Sequence, residues 1–361
     1  MKPKGLFILD ERSLSLLYGT AELEQIRQLV NLYAPRQDAN VAYESPEVLS
    51  EAELILSGWN GPTIDEALLD AAPRLKAVFY GGGGAGSVLT PLVWERGVVV
   101  TSAYAANAIP VAEYTLAMIL LSLKHVWTLS ASMRATQSMP PRDGAPGSYG
   151  STVGLVSYGM IARTLRRLLK PFDLNVLVYD PYLGEAEAAS CDVRSVSIDE
   201  LFRRSDVVSV HTAMLPETEG LIRGSLLRSM KHGATFINTA RGELVHEDEL
   251  IQVLVERRDL HAILDVTRVE PPARGSKLYA LPNVMLTPHV AGSVGPECRR
   301  MGRYMVEELK RFLTGQPLRW SVTPELAANT CHRPVPRVTL HKTKLAAAAA
   351  KAAAPSAAAL R

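Results

Sequence analysis

A chain of 361 residues exceeds what one hydrophobic core usually fills, so two domains are expected. With 47% hydrophobic and 21% charged residues, its composition is that of an ordinary soluble globular protein. The formal charge of +2 is unevenly spread: residues 326–361 hold six basic residues and no acid, leaving 33 basic against 37 acidic, a net −4, which excludes an obvious nucleic-acid surface.

Cys191, Cys298 and Cys331 are scattered without metal-ligand spacing, so reduced thiols and no metal site are expected. The apolar run 5–9 is too short for a signal peptide, and residues 114–123 fall short of the roughly 20 residues of a membrane span. A cytoplasmic protein is the default.

In chain order, residues 5–9 read as a strand, 23–30 as a helix, 41–43 and 53–56 as strands, 64–71 as a helix and 75–80 as a strand. Such alternation predicts a parallel sheet with helices on both faces. The last strand opens into Gly81-Gly82-Gly83-Gly84-Ala85-Gly86. Amides outside a parallel strand's carboxyl end can hold a carboxylate, which makes Gly83 and Gly84 candidate substrate contacts; a plain flexible turn is the competing reading. A strand at 98–100 follows, then a long helix from 113 to about 127, then a loop at 135–151.

Residues 152–180 are the organising stretch. An apolar strand enters a small-residue turn at Ser157, Tyr158 and Gly159. A helix follows, with Met160 and Ile161 in its first turn and Ile161, Leu165, Leu168 and Leu169 spaced for one buried face. A second strand then ends on Asp180. This is the β-turn-α-β unit that binds a dinucleotide: helix-start amides face the pyrophosphate and the acid takes the ribose hydroxyls. The fingerprint is incomplete, with Ser157, Gly159 and Ala162 at the three glycine places. Alanine suffices at the third, whereas serine at the first is tolerable only if the turn needs no positive φ.

A second α/β series follows, with strands at 207–210, 235–238, 261–264 and 284–286 and helices at 225–231, 247–254 and 297–313. From residue 326 the chain is basic and, after Leu345, carries 11 alanines. Alanine favours helix but offers no apolar face to order it, so a disordered or marginally helical tail is expected.

Arg241, Glu270 and His289 lie after successive strands of the second series. Parallel strand ends share one edge, so the three should face one crevice. Arginine can grip a carboxylate, histidine can exchange a proton near neutrality, and a nearby carboxylate favours and orients imidazolium. Singly, each reads equally well as a surface ion-pair or capping residue.

Further motifs lie in order: Asn107 with Pro110-Val111-Ala112-Glu113, residues 152–156 with Gly159, and His211 with Pro216, Thr218 and Gly220-Leu221-Ile222. They continue with Ile237-Asn238-Thr239-Ala240-Arg241-Gly242, Asp265-Val266 with Glu270-Pro271, and Thr287-Pro288-His289-Val290-Ala291-Gly292. With these, the chain resembles the D-isomer-specific 2-hydroxyacid dehydrogenase family over residues 5–320.

The resemblance implies two doubly wound parallel-sheet domains with the active-site cleft between them. A discontinuous, flavodoxin-like substrate domain (1–106 and 290–322) would enclose an inserted Rossmann domain (107–289) that binds NAD. It implies Arg241 on the substrate carboxylate and carbonyl, His289 as acid/base, Glu270 as its partner and Asp265 near the nicotinamide amide. Cofactor contacts would come from Ser157, Tyr158, Gly159, Met160, Ile161, Asp180, His211, Thr218, Thr239 and Ala240. Activity would be hydride transfer between NAD(H) and a small D-2-hydroxy or 2-keto acid, with Glu270 raising the pKa of His289. The family is typically homodimeric through the helix after Glu113.

Asp180 favours NAD over NADP by repelling a 2′-phosphate. Two departures stand out, and one residue separates the chain from related enzymes. The family's Gly-x-Gly-x-Asp-Asn reads Gly-Gly-Gly-Ala-Gly-Ser at residues 82–87. Tyr80 stands where phosphoglycerate-type members carry Arg, which argues against a phosphorylated substrate. Glu270 argues against related formate dehydrogenases, which use Gln. The competing function is an NAD(H)-sensing, corepressor-like protein with little turnover.

Overall fold

The computed structural model describes residues 1–86 and 88–329. The expected basic tail therefore lies, from residue 330 onward, outside the described residues.

Two parallel sheets organise the chain. The first contains β1 (Lys4–Ile8), β2 (Asn31–Leu32), β3 (Leu54–Ser57), β4 (Ala77–Tyr80) and β5 (Val99–Ser102), in the order β2-β1-β3-β4-β5. The second contains β6 (Thr152–Val156), β7 (Asn175–Tyr179), β8 (Arg194–Ser195), β9 (Val207–Val210), β10 (Thr235–Asn238), β11 (His261–Leu264) and β12 (Val284–Leu286). Its order is β12-β11-β10-β9-β6-β7-β8. Central strands such as β3, β4, β9 and β10 are buried at every residue, as parallel strands covered on both faces must be. The expected α/β architecture of two parallel-sheet domains is present.

The chain returns to the first sheet after completing the second. Helix Cys298–Leu313 buries Met301, Met305 and Leu309 in a core with Phe7, Leu56 and Phe79. Residues 320–322 then run beside β5, with Ser102 N–H donating to Trp320 O at 3.1 Å and Val322 N–H to Val100 O at 2.8 Å. Helix Tyr104–Ser122 connects the sheets. By length and hydropathy alone it could cross a membrane, but half of its apolar window is buried. Ala112 and Ile119 pack with Val153, Leu155, Ala162 and Leu165 of the second domain.

Several local expectations are corrected. Residues 41–43 form no strand; Val41–Glu44 is a short helix capping the first core with Val41 and Ala42. The helix expected to end near 127 breaks earlier, and a second helix, Val126–Thr136, begins after His125 in the left-handed region at φ 49°. The 225–231 helix shortens to Gly224–Arg228. Within the tail expectation, Pro324–Ala328 is helical, capped by Thr323 Oγ1 accepting from Leu326 N–H at 3.2 Å. On helix Met160–Leu169 the inner face is Ala162, Leu165, Arg166 and Leu169, with Ile161 and Leu168 only partly buried. Arg166 is drawn inward because its Nε donates to Asp192 O at 3.1 Å and its guanidinium pairs with the Asp192 carboxylate.

Candidate active site

The strand exits of the second sheet gather the candidate residues on one edge. β6 lies mid-sheet between β7 and β9, and its exit turn begins at Ser157. Ser157 has φ 71°, a left-handed backbone that costs an L side chain about 1–2 kcal/mol. The condition under which serine was expected to be harmless is therefore not met: the turn does take positive φ. The residue is tethered twice. Its N–H donates to Tyr179 O at 2.7 Å, and its hydroxyl lies 2.9 Å from that of Thr212.

Tyr158 turns its ring into the core beneath the Arg163 guanidinium, 4.8 Å from the ring centroid, and burial pushes its phenol up to about 12. What it offers the turn is backbone. Its N–H donates to Asp180 Oδ2 at 2.7 Å, and Tyr182 N–H donates to Oδ1 at 2.8 Å. Each oxygen of Asp180 thus retains an acceptor site for one more donor. Gly159 caps helix Met160–Leu169, and a Cβ there would meet open space. The first-turn amides, from Met160 and Ile161 onward, have no intrahelical acceptor, so this end of the helix favours an anion.

His211 follows β9 on the far side of the turn, where its N–H donates to Val156 O at 2.9 Å. Both its ring nitrogens are sealed from solvent and meet no hydrogen-bond partner among the described residues. Burial pushes its pKa down to about 4, so the ring is neutral at physiological pH. Orphaned polar atoms beside an open helix terminus fit a polar, anionic ligand lying across β6 and β9. The Thr218 hydroxyl is spent locally, accepting from Leu215 N–H at 2.8 Å and donating to Ala213 O at 2.7 Å. Thr239 is buried, its hydroxyl 3.5 Å from that of Thr115, and Ala240 N–H donates to Asn238 Oδ1 at 3.0 Å.

The exits of β10, β11 and β12, which are adjacent in the sheet, carry Arg241, Asp265 with Glu270, and His289. Asn238 clamps the first of these turns, because its amide also donates to Arg241 O at 2.9 Å. Gly242 is required by close approach: a Cβ would lie 2.0 Å from the carbonyl carbon of Thr267. The Arg241 guanidinium donates to its neighbour Ala240 O at 2.6 Å. His289 Nδ1 lies 2.8 Å from Glu270 Oε2, with both side chains partly open to solvent. Among the described residues no hydrogen bond or ion pair joins Arg241 to this pair; what they share is the edge.

His289 has φ 54°, and the loop that imposes it is gripped by a buried acid. Asp265, 2% exposed, accepts from Thr287 Oγ1 at 2.6 Å, Val290 N–H at 2.8 Å and Ala291 N–H at 2.9 Å. His289 N–H itself donates to Asp265 O at 3.0 Å. The Asp265 carboxylate is thus chiefly occupied in shaping the histidine loop, with one acceptor site on Oδ2 remaining.

In the first domain, Gly82 must be glycine because a Cβ would sit 2.4 Å from the Tyr80 ring. Ser102 Oγ donates toward Gly82 O at 3.1 Å and Gly83 O at 2.7 Å. Gly83 lies against Asn107, whose Oδ1 accepts from Ser293 N–H at 2.9 Å, and Gly84 is unobstructed. Asn107 therefore joins the glycine loop to the segment just after His289.

Residues 116–291 match the family model described as D-isomer specific 2-hydroxyacid dehydrogenase, NAD binding domain. Residues 116–291 therefore carry the NAD binding domain of the D-isomer specific 2-hydroxyacid dehydrogenase family. Within that family it is similar to the D-3-phosphoglycerate dehydrogenase of Mycobacterium leprae, 34% identical over 254 residues, or 70% of this chain and 48% of the relative. The chain spans about half the length of the curated relatives it matches. In fold it is similar to a phosphoglycerate oxidoreductase from Rhizobium etli (TM-score 0.76, 21% identity, 90% of this chain and 99% of that one). It is similar too to the NAD-complexed D-isomer specific 2-hydroxyacid dehydrogenase of Lactobacillus delbrueckii ssp. bulgaricus (TM-score 0.72, 21% identity, 89% and 100%). The cofactor of the domain is NAD. The sheet edge with free helix-start amides, two acceptor sites on Asp180 and a His211 ring without a partner among the described residues fits such a group.

Sequence reasoning left Tyr114, Thr212 and Thr287 out of the site and gave Asn107 and Asn238 no role beyond their motifs. Each acts through another residue, by orienting a loop. Their only signal was proximity in sequence to motif residues, which says nothing about side-chain direction.

Proposed function

We propose that the protein is an NAD-dependent D-2-hydroxyacid dehydrogenase that interconverts a small 2-keto acid and its D-2-hydroxy acid. The observation that carries this reading is the hydrogen-bonded His289–Glu270 pair at the exits of β12 and β11, on the same edge as Arg241 at the exit of β10. NAD, when bound, supplies the hydride donor or acceptor. Helix-start amides at Gly159, Met160 and Ile161 would hold its phosphates, Asp180 its ribose, and His211, Thr239 and Ala240 its inner edge.

The chain's own residues do the rest. A carboxylate accepts and does not donate, so beside Glu270 the Nδ1 of His289 carries a hydrogen and Nε2 is the nitrogen left to face substrate. During reduction His289 gives its Nε2 proton to the developing alkoxide, and it takes that proton back during oxidation. Arg241 grips the carboxylate and stabilises the growing charge on the substrate oxygen, after releasing its contact with Ala240 O. Amides of Gly83 and Gly84 complete the carboxylate site.

Helix Cys298–Leu313 packs on the first sheet, which supports a substrate domain of residues 1–106 and 290–322 around a cofactor domain of residues 107–289. A homodimer working in the cytoplasm belongs to the same proposal. Exposed Met133, Met139 and Tyr149 on and after helix Val126–Thr136 support a partner surface there. The relatives named D-3-phosphoglycerate dehydrogenase suggest a phosphorylated substrate, whereas the buried Tyr80 offers no cation at its position. The test is to mix the purified protein with NADH and a panel of 2-keto acids, phosphorylated and not, and follow nicotinamide absorbance. Turnover of at least one is expected. Tight NADH binding with no turnover would overturn the enzyme in favour of an NAD(H)-sensing protein.

A further inference from the structure

Ser157 is a residue that steric rules disfavour at its own backbone angles, and the structure supplies a device beside it. Thr212, buried and 55 residues downstream, brings its hydroxyl to 2.9 Å from Ser157 Oγ and 3.3 Å from Val156 O. Both contacts fall on the exit of β6. A hydroxyl has one proton, and the Val156 carbonyl can only accept. When Thr212 donates to Val156 O, Ser157 must donate to Thr212. The serine proton is then directed into the protein, away from the helix terminus where an anion would lie.

We propose that Thr212 and Ser157 form a positioning pair that substitutes for the missing first glycine, holding the turn left-handed so that the Gly159–Ile161 amides stay aimed at the dinucleotide. This rests on the cofactor reading above and adds a residue to it. Two alternatives are separated by the same geometry. If Ser157 instead donated to a phosphate, its hydroxyl would contribute directly to binding, and Thr212 would matter little. If the left-handed angle needed no support, neither hydroxyl would matter.

The experiment is an NADH titration by fluorescence on four full-length proteins: wild type, Thr212→Val, Ser157→Gly, and the double variant. Valine keeps the shape of threonine and removes the hydroxyl. Thr212→Val alone should raise the Kd for NADH about fivefold, the worth of one ordinary hydrogen bond. The double variant should bind within about twofold of Ser157→Gly alone, because glycine needs no tether at positive φ. Thr212→Ser, which restores the hydroxyl, should bind as the wild type does and serves if the valine variant fails to fold. KM for NADH should rise with kcat held, which a general loss of structure would not produce. An unchanged Kd in Thr212→Val, or an equal loss from that change in the Ser157→Gly background, overturns the pair. Failure of the wild type to bind NADH overturns the cofactor reading itself and is read from the first titration.

Discussion

Two strand exits of the second sheet each hold a non-glycine residue in the left-handed region, and they do so by unequal means. His289, at φ 54°, is fixed by a buried carboxylate that takes three donors from its loop, with a backbone bond to the same aspartate. Ser157, at φ 71°, is held by one backbone bond and one pair of hydroxyls. Residues in such regions cost about 1–3 kcal/mol and persist only where their surroundings over-determine them. The histidine loop is over-determined; the serine turn is barely determined. The difference fits the work proposed for each. A proton donor must sit within a fraction of an ångström of one atom, while a row of amides tolerates small tilts against a diffuse anion.

Removing Asp265 is the severest way to break the comparison. Asp265→Ala leaves three loop donors, one of them fully buried, without their acceptor and should cost about 3–5 kcal/mol of stability, read by chemical denaturation. A cost no larger than that of Thr212→Val would erase the asymmetry. Next comes chemistry. His289→Gln should lower kcat by about 10²–10⁴-fold while the Kd for NADH changes by less than about threefold. Equal losses of both would mean that the loop serves cofactor binding and not proton transfer.

Acid provides the third probe, because it acts on the serine side through His211. That ring titrates near pH 4 when folded and near 6.5 when free, so its contribution to stability is complete above pH 6.5. It is lost as the pH falls from 6.5 to 4, at up to about 1.4 kcal/mol per pH unit. The wild type should therefore lose thermal stability more steeply than His211→Asn across that interval. Parallel curves would refute the burial of a neutral ring. The smallest effect is expected from Tyr114→Phe, which removes a 2.9 Å bond to Thr287 Oγ1 but leaves Thr287 on Asp265. About 1 kcal/mol or less should be lost, with kcat reduced only a few-fold.

The sheets were readable from sequence because buried parallel strands are continuous apolar runs, as at 54–57, 207–210 and 235–238. Val41-Ala42-Tyr43 has the same look but too short a run, and the helix-starting geometry after Asn40 decides otherwise. Arg241, Glu270 and His289 could be placed on one edge from strand polarity alone. Their support could not. Nothing in the spacing of Asp265 and Val290 says that a carboxylate will close on those amides, and nothing local to Ser157 announces a threonine 55 residues away. Pairings of that kind depend on side-chain direction after the sheet has assembled.

Helix Tyr104–Ser122 carries a consequence for motion. At its start Asn107 is bound to Ser293 and lies against Gly83; half-way along, Tyr114 and Thr115 are bound to or lie near Thr287 and Thr239. Between these anchorages stands Pro110, which has no N–H for the carbonyl one turn back. The rod thus has its weakest rung between its hold on Ser293 and its hold on Thr287. Strain that drew the glycine loop and the histidine loop apart would be taken up first at Pro110, inside the helix.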